Sequence, residues 1–237
     1  MSGSKFFDQS GAARYERPAV AVDLILMSVV DGIPAALLTR RPEGDWALPG
    51  GFVGIDESLD AAAHRLLANE ARMDDAYVEQ LYTFGEVDRD PRTRIISVAY
   101  FALLAPARFA AALKDASDVR LATLHVPWPG EKGGVVEARS PDGMALSLVH
   151  DHADMLGVAM LRLRGKLNYS AVAFALLPER FTLRALQDVH EAILGTRLNK
   201  PAFRRRMLDR GWLQATGERE TGASFRPAEL YRHRVAD

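Results

Sequence analysis

Hydrophobic positions in the first half of the chain form short β-rich runs bounded by turn residues. The longest run, AVAVDLILMSVV at 19–30, ends at an Asp-Gly turn signal and is followed by PAALLT at 34–39. This arrangement predicts a β-hairpin. Two later runs, at 78–84 and 95–104, predict two more strands on either side of the charged loop VDRDPRTR.

Elsewhere apolar residues recur three and four positions apart, which is the period of one face of an α-helix. This spacing predicts a helix over 58–72, a short helix over 108–113 and a long helix over 146–161. Residues 127–143 contain Trp-Pro-Gly, Gly-Gly and Pro-Asp-Gly sequences, which indicate turns and leave little room for long elements.

The last third of the chain has a more specific pattern. Apolar residues at helical spacing over 183–194 predict an amphipathic helix, with Thr182 as its N-cap. Asn199 is expected to cap a second, basic helix, and the segments 212–216 and 228–232 are expected to pair as a hairpin. A helix, a turn, a basic helix and a hairpin form the layout of a winged helix-turn-helix.

Composition narrows the class of protein. The 237 residues include no apolar stretch of the roughly 18 residues that a membrane helix needs. The first 18 residues lack the apolar segment of a signal peptide, so secretion is not expected. The absence of cysteine excludes disulfides and thiolate zinc sites and favours a cytoplasmic protein.

Charge is unevenly distributed along the chain. Residues 155–237 carry 15 Lys/Arg and 8 Asp/Glu, whereas residues 1–154 carry 15 and 23. A basic tail of this size favours a polyanionic partner such as nucleic acid. The alternative is a solvated surface with scattered arginines.

A longer motif lies around the helix predicted over 58–72. In LPGGFVGIDESLDAAAHRLLANEARM, Gly51 is followed six residues later by Glu57 and eight residues after that by Arg65. This frame resembles the Nudix box. The resemblance implies an α/β fold, the Nudix α/β/α sandwich with a mixed sheet. It also suggests chemistry on diphosphates, which Nudix enzymes cleave with magnesium or manganese.

The family's metal-binding positions are altered in this sequence. They are occupied by Leu66, Asn69 and Glu70, of which only Glu70 is a carboxylate, and Arg72 stands where the motif ends in glycine. Magnesium and manganese prefer oxygen ligands, so the loss of two carboxylates weakens such a site. We therefore expect no catalytic residue, no bound metal and no cofactor.

Further segments of a recognisable kind are YTFGEVDRDPRTRIISVAYFALL at 82–104, the neighbourhood of Lys166, LLP at 176–178, FRR at 203–205 and RPAELY at 226–231. Together with the box, they resemble the NrtR family of Nudix-related transcriptional regulators over roughly residues 18–234. We expect an N-terminal arm at 1–17, a Nudix-like effector-sensing domain at 18–155 and a winged-helix DNA-binding domain at 156–237.

The resemblance implies a homodimeric repressor of NAD-metabolism genes that binds double-stranded DNA at a palindromic operator. Its Nudix domain would bind a NAD-derived effector, typically ADP-ribose, and the bound effector would weaken operator binding. Relatives of the same architecture respond to a pentose, so a sugar-responsive regulator stays open. We expect the segment 146–170 to couple the two domains.

Two sets of candidate site residues follow. Arginines suit a diphosphate, glycines allow close approach of the backbone, and an aromatic ring could stack on adenine. Core packing for Trp46 and Phe84, and an internal salt-bridge network for the charged loop, are the alternatives. The expected effector-binding residues are Arg40, Arg41, Gly50, Gly51, Glu70, Tyr82, Arg89 and Arg92. The expected DNA-binding residues are Lys166, Lys200, Arg204, Arg205, Arg206 and Arg226, where a merely solvated helix is the alternative.

Three other functions are alternatives to that of a regulator. An active Nudix ADP-ribose pyrophosphatase could use other carboxylates, such as Glu86, Asp88 or Asp90. An RNA-binding module is disfavoured because the tail lacks the glycine-aromatic pattern of an RRM and the GXXG loop of a KH domain. A pure scaffold is the third.

Overall fold

The computed structural model describes residues 6–7, 13–14, 17–73, 76–221 and 227–234. The strands are β1 (Phe6–Phe7), β2 (Ala13–Arg14), β3 (Ala19–Val30), β4 (Ile33–Arg40), β5 (Trp46–Ala47), β6 (Gly50–Phe52), β7 (Glu79–Phe84), β8 (Ile95–Leu103), β9 (Val119–His125), β10 (Glu137–Arg139), β11 (Phe181–Thr182), β12 (Leu213–Arg219) and β13 (Glu229–His233). The helices are α1 (Leu59–Asn69), α2 (Ala110–Leu113), α3 (His152–Lys166), α4 (Leu183–Leu194) and α5 (Lys200–Asp209), with 3-10 turns at Pro106–Phe109 and Val172–Leu176.

One mixed sheet forms the centre of the first domain. Its strand order is β10-β9-β4-β3-β8-β7, with β5 paired to β4 and β6 paired to β3. Strands β3 and β8 run parallel, whereas β4 pairs with both β3 and β9 in antiparallel register. The predicted hairpin of β3 and β4 is therefore confirmed. Strand β9 was not predicted, although it forms a long pairing with β4.

The central strand β3 shows why both faces of this sheet are covered. Successive side chains of a strand point to opposite faces. Accordingly Val22, Leu24 and Leu26 pack into one core with α1, while Ile25 and Met27 pack into a second core with α3. This arrangement is the predicted α/β/α sandwich with a mixed sheet.

The C-terminal elements form the predicted winged helix. The Thr182 hydroxyl accepts a hydrogen bond from the Ala185 amide at 3.1 Å at the start of α4, which ends at Gly195 with φ 67°. The Asn199 side chain accepts from the Ala202 amide at 3.0 Å and caps α5. Strands β11, β13 and β12 complete the domain as a small antiparallel sheet.

The predicted long helix begins later than expected. A start at residue 146 is wrong, because the residues before α3 pair with β5 in extended conformation. The Trp46 amide donates to the Ser147 carbonyl at 2.9 Å, and the Val149 amide donates to the Trp46 carbonyl at 3.0 Å. His150, with φ 50°, then turns the chain into α3.

Helix α3 belongs to both domains. A single hydrophobic core includes Met27 and Phe101 of the mixed sheet, Leu163 of α3, and Leu186 and Phe203 of the winged helix. The predicted boundary between residues 155 and 156 therefore falls inside a helix that both domains share. Among the described residues, no helix combines the length and apolar character needed to cross a membrane.

Candidate effector cleft and DNA-binding surface

The loop before α1 is held by an ion pair. Arg65 donates to both carboxylate oxygens of Glu57 at 2.7 Å and to the Phe52 carbonyl at 3.0 Å, and the Gly54 amide donates to Glu57 at 3.0 Å. These hydrogen bonds, chiefly those from Arg65, lower the pKa of Glu57 to about 2. Glu57 and Arg65 of the box frame thus fix the loop against the helix.

The altered box positions lie on different sides of α1. The Leu66 side chain is buried in the core against Gly51, where an added Cβ would approach it to 2.9 Å. Asn69 and Glu70 are exposed, and Glu70 is the C-cap of the helix. Arg72 adopts φ 56°, in the region that favours glycine. The turn after the helix therefore keeps this backbone conformation although arginine replaces the glycine of the motif.

A small cleft opens beside Gly50 and Gly51, at the start of the box. Strands β3, β5, β6 and β8, the charged loop after β7 and the start of α3 bring its walls together. The predicted effector residues that line it are Arg41, Gly50, Gly51, Arg89 and Arg92. Four further lining residues were not among the predicted effector-binding residues: Asp23, Asp90, His150 and His152.

Asp23 places a carboxylate at the back of this cleft. The Ser97 hydroxyl donates to its Oδ2 at 2.5 Å, and Arg89 Nη2 lies 4.0 Å from the same oxygen. A side chain at position 50 would collide with the Asp23 carboxylate and would lie 2.8 Å from the Val22 carbonyl oxygen. Gly50 therefore provides the room in which Asp23 is buried.

Arg89 is the most buried cation of the cleft, with a side chain only 4% exposed. Its Nε and Nη2 donate to the two carboxylate oxygens of Asp151 at 2.9 and 2.6 Å, and Nη2 also contacts Met155 Sδ at 3.7 Å. The paired fork geometry is the one that guanidinium groups adopt with carboxylates and with phosphates. Arg89 thus joins the charged loop to the first turn of α3.

His152, the first residue of α3, packs against the other side of Asp23. Its Nδ1 accepts a hydrogen bond from the Leu48 amide at 2.9 Å, so Nε2 carries the proton of the neutral ring and lies 3.9 Å from Asp23. Burial lowers the pKa of His152 and favours that neutral form. The ring supplies a donor to the cleft without adding charge.

A second charged group lies at the mouth of the cleft. Arg92 donates to both carboxylate oxygens of Asp90 at 3.0 and 2.7 Å, and His150 Nε2 lies 3.5 Å from the same carboxylate. The Arg92 hydrogen bonds hold the pKa of Asp90 well below its usual range. Of the carboxylates considered for catalysis, Asp90 is therefore already paired, while Glu86 and Asp88 are exposed and do not line the cleft.

The remaining predicted effector residues lie outside the cleft lining. Arg40 is exposed at the end of β4. Tyr82 is 54% exposed on β7 and contacts the ring of Phe84 edge-on at 5.1 Å. Trp46, another candidate for stacking, is buried beneath Arg120 at 4.9 Å. Trp46 therefore packs in the core, as the alternative to stacking proposes. Glu70 is the exposed C-cap of α1.

A second buried arginine, Arg164, lies on the last turns of α3. It donates to the Ile193 carbonyl at 2.8 Å, the Trp128 carbonyl at 2.9 Å and the Gly130 carbonyl at 2.7 Å. Its guanidinium also lies 4.5 Å from the centre of the Trp128 ring. The side chain therefore ties the end of α4 to α3 and to the loop after β9.

The basic surface of the winged helix is on α5. Phe203 and Met207 face the core, while the predicted DNA-binding residues of this helix point to solvent. The Arg206 guanidinium lies over the Phe203 ring at 5.6 Å. The exposed predicted residues are Lys200, Arg204, Arg205 and Arg206.

Two further predicted DNA contacts have different positions. The Lys166 ammonium pairs with Glu79 of β7 and lies 5.1 Å from the Phe101 ring, so in this structure it joins α3 to the mixed sheet. Contact of Lys166 with phosphate stays a prediction and would require this pair to open. Arg226 lies outside the described residues, between β12 and β13.

Comparison with known proteins matches both parts of the chain. Residues 17–133 match the family of the Nudix domain, and residues 173–233 match the family of the NrtR DNA-binding winged helix domain. The whole chain is 35% identical, over 242 aligned positions, to the ADPR responsive transcriptional repressor NtrR of Acinetobacter baylyi, of which 90% is covered.

Two solved structures share both domains. NrtR of Shewanella oneidensis complexed with a 27mer DNA is 33% identical with a TM-score of 0.73, over 91% of this chain and 93% of that one. A MutT/nudix family protein from Enterococcus faecalis is 25% identical with a TM-score of 0.73, over 94% of this chain and 90% of that one. The order of a Nudix domain followed by a winged helix is therefore common to all three.

Proposed function

This chain belongs to the NrtR family of Nudix-related transcriptional regulators, and from that premise we propose that it is an ADP-ribose-responsive repressor. Its winged helix binds DNA, its Nudix cleft binds the effector, and the bound effector lowers the affinity of the protein for the operator. The observation that carries this proposal is the similarity over the full chain to a repressor described as ADPR responsive.

The cleft supports an anionic effector. Arg41, Arg89 and Arg92 all line it, beside the backbone of Gly50 and Gly51. Guanidinium groups bind phosphates through paired hydrogen bonds, and glycine lets a ligand approach the backbone closely. Arg89 and Arg92 now pair with carboxylates, and a neutral sugar offers no charge that could replace those partners, so we propose ADP-ribose rather than a pentose.

The same cleft gives little support for hydrolysis. Leu66 contributes no metal ligand, Asn69 contributes no charge, and Glu70 is the remaining carboxylate of the box positions. A sensor also benefits from leaving its effector intact. We therefore propose a binding domain rather than an enzyme, and metal-dependent release of AMP from ADP-ribose, lost in Glu70→Gln, would contradict this.

For the DNA side, α5 is the recognition helix. Its capped N-terminal half carries Lys200, and its exposed face carries three arginines that reach phosphates or base edges. We propose a homodimer that places two such helices on the half-sites of a palindromic operator near NAD-metabolism genes, in the cytoplasm.

The test is a titration of fluorescent DNA from upstream of its own and neighbouring genes, at fixed salt. We expect specific binding that saturating ADP-ribose weakens at least about tenfold, within the usual range of allosteric coupling. The double variant Arg204→Ala/Arg205→Ala should lose binding, whereas Arg162→Ala, on an exposed position of α3, should retain it. Tight ADP-ribose binding with unchanged DNA affinity would contradict the proposal.

A further inference from the structure

The first turn of α3 lacks the capping hydrogen bond that its sequence could make. Asp151 occupies the N-cap position, and aspartate is among the residues preferred there. Its side chain nevertheless makes no capping bond, and its backbone has ψ 18° rather than the extended value that a cap adopts. The carboxylate is engaged elsewhere, on Arg89.

The guanidinium group of Arg89, which could bind a phosphate of the effector, is thus already paired with a carboxylate. Asp151 accepts from the Nε and Nη2 edge of the guanidinium at 2.9 and 2.6 Å, and Asp23 supplies a second carboxylate 4.0 Å from Nη2. His152 adds no positive charge, because burial keeps it neutral. A diphosphate entering the cleft would face two carboxylates around one guanidinium, and like charges at this range repel strongly.

We infer that Asp151 is an internal competitor of the effector: its carboxylate occupies the Arg89 fork in the effector-free protein, and the effector's diphosphate displaces it. This inference rests on the proposed function and adds how the cleft is connected to the DNA-binding domain. The displaced carboxylate has alternative partners close by, the amides of Ala153 and Asp154, which occupy the positions of α3 that an N-cap side chain accepts from.

The exchange would move the helix that both domains share. Capping requires Asp151 to adopt an extended backbone, which changes how the chain enters α3 after the left-handed His150. The far end of α3 is fixed to the winged helix by the hydrogen bond from Arg164 to the Ile193 carbonyl. A change at the first turn is therefore transmitted to α4, on which α5 packs.

Two variants of Asp151 separate the two roles of its carboxylate. Asp151→Asn keeps a good capping side chain but loses the charge that pairs with Arg89, while Asp151→Ala loses both. The matched control is Asp154→Asn, which removes one negative charge from the same turn at an exposed position. ADP-ribose and inorganic pyrophosphate are titrated by calorimetry, and DNA affinity is measured with and without ADP-ribose at fixed salt.

We expect Asp151→Asn and Asp151→Ala to bind both anions about tenfold more tightly than wild type, since the competing carboxylate is gone. Asp151→Asn should also bind the operator about fivefold more weakly without any effector, because its helix is already capped. In Asp151→Ala the release of DNA by ADP-ribose should shrink to less than about half that of wild type, because no cap can form. Asp154→Asn should match wild type throughout.

The inference is overturned if Asp151→Asn binds pyrophosphate no more tightly than Asp154→Asn, or if its operator binding equals that of wild type. Should Asp151→Asn not fold, Arg89→Lys provides a second arm. Lysine keeps the charge but cannot fork, so operator binding without effector should weaken, and unchanged binding would overturn the inference. If ADP-ribose did not change the operator affinity of the wild-type protein, the proposed function itself would be wrong.

Discussion

Two buried arginines lie at opposite ends of α3, and their hydrogen-bond acceptors differ in charge. Arg89 pairs with the carboxylates of Asp151 and Asp23 in an open cleft. Arg164 donates to three carbonyl oxygens and has no carboxylate partner among the described ion pairs. A charged partner can be exchanged for a phosphate, whereas backbone carbonyls are part of the fold. The surroundings of Arg89 therefore suit a binding site. Those of Arg164 suit a permanent structural contact between α3 and the winged helix, which we call the joint.

Replacing the joint should cost the most stability. Arg164→Met leaves three carbonyl oxygens without their donor, and we expect the free energy of unfolding to fall by about 3 kcal/mol. Urea unfolding measures this change. Arg162→Met, on the exposed side of the same helix, is the control and should cost little. Equal values for the two variants would show that Arg164 does not act as a joint.

Replacing the cleft arginine should act on the ligand more than on the fold. Arg89→Met removes the fork from a diphosphate, and we expect ADP-ribose affinity to fall roughly 30-fold, about 2 kcal/mol, as for hydrogen bonds to charged groups. Calorimetry measures the affinity. Arg162→Met, at an exposed position of α3 outside the cleft lining, should bind as wild type does. If Arg89→Met bound ADP-ribose normally, the contrast between the two arginines would be lost.

Gly50 leaves space for the Asp23 carboxylate beside Arg89, and a substitution at position 50 tests whether that space is needed. In Gly50→Ala the new methyl group meets the Asp23 carboxylate and the Val22 carbonyl, so we expect a loss of about 1 to 2 kcal/mol in unfolding free energy. Gly85→Ala is the control, because no atom lies within 4 Å of a Cβ there. Equal unfolding free energies would mean that β3 and β6 adjust freely at the cleft.

The exposed Glu57–Arg65 pair supplies the smallest effect. The pKa of Glu57 is lowered from 4.5 to about 2, so the pair stabilises the folded protein above pH 4.5 and less so as the pH falls through the folded value. Glu57→Gln should therefore lower the melting temperature slightly at neutral pH, and this difference should shrink as the pH falls. Glu131→Gln, an exposed glutamate, should show no such pH dependence.

Much of the fold could be predicted because the local signals agree with the tertiary structure. The run at 19–30 became β3, and the caps Thr182 and Asn199 begin α4 and α5 as expected. The start of α3 could not be predicted, because its preceding residues pair with Trp46, a contact across more than one hundred positions. Tertiary pairing of this kind leaves no periodic signal in the sequence.

The cleft was only partly predicted. The sequence does not separate Arg41, which lines the cleft, from the neighbouring Arg40, which ends β4 and lies outside the lining. Asp23 was missed although its signal was present: a charged residue within a 12-residue apolar strand must find partners when it is buried. Asp151 and His152 were missed because they lay inside the helix predicted over 146–161.

The sharing of α3 limits how this architecture can be rearranged. A fragment ending at residue 155 would lose Leu156, Met160 and Leu163, which fill the core beneath the mixed sheet. A fragment beginning there would expose the same residues to solvent. The two parts have separate family matches, but we expect an exchange of either half at residue 155 to disrupt the core that α3 shares with both. A recombined regulator would have to inherit α3 together with the surfaces on both of its sides.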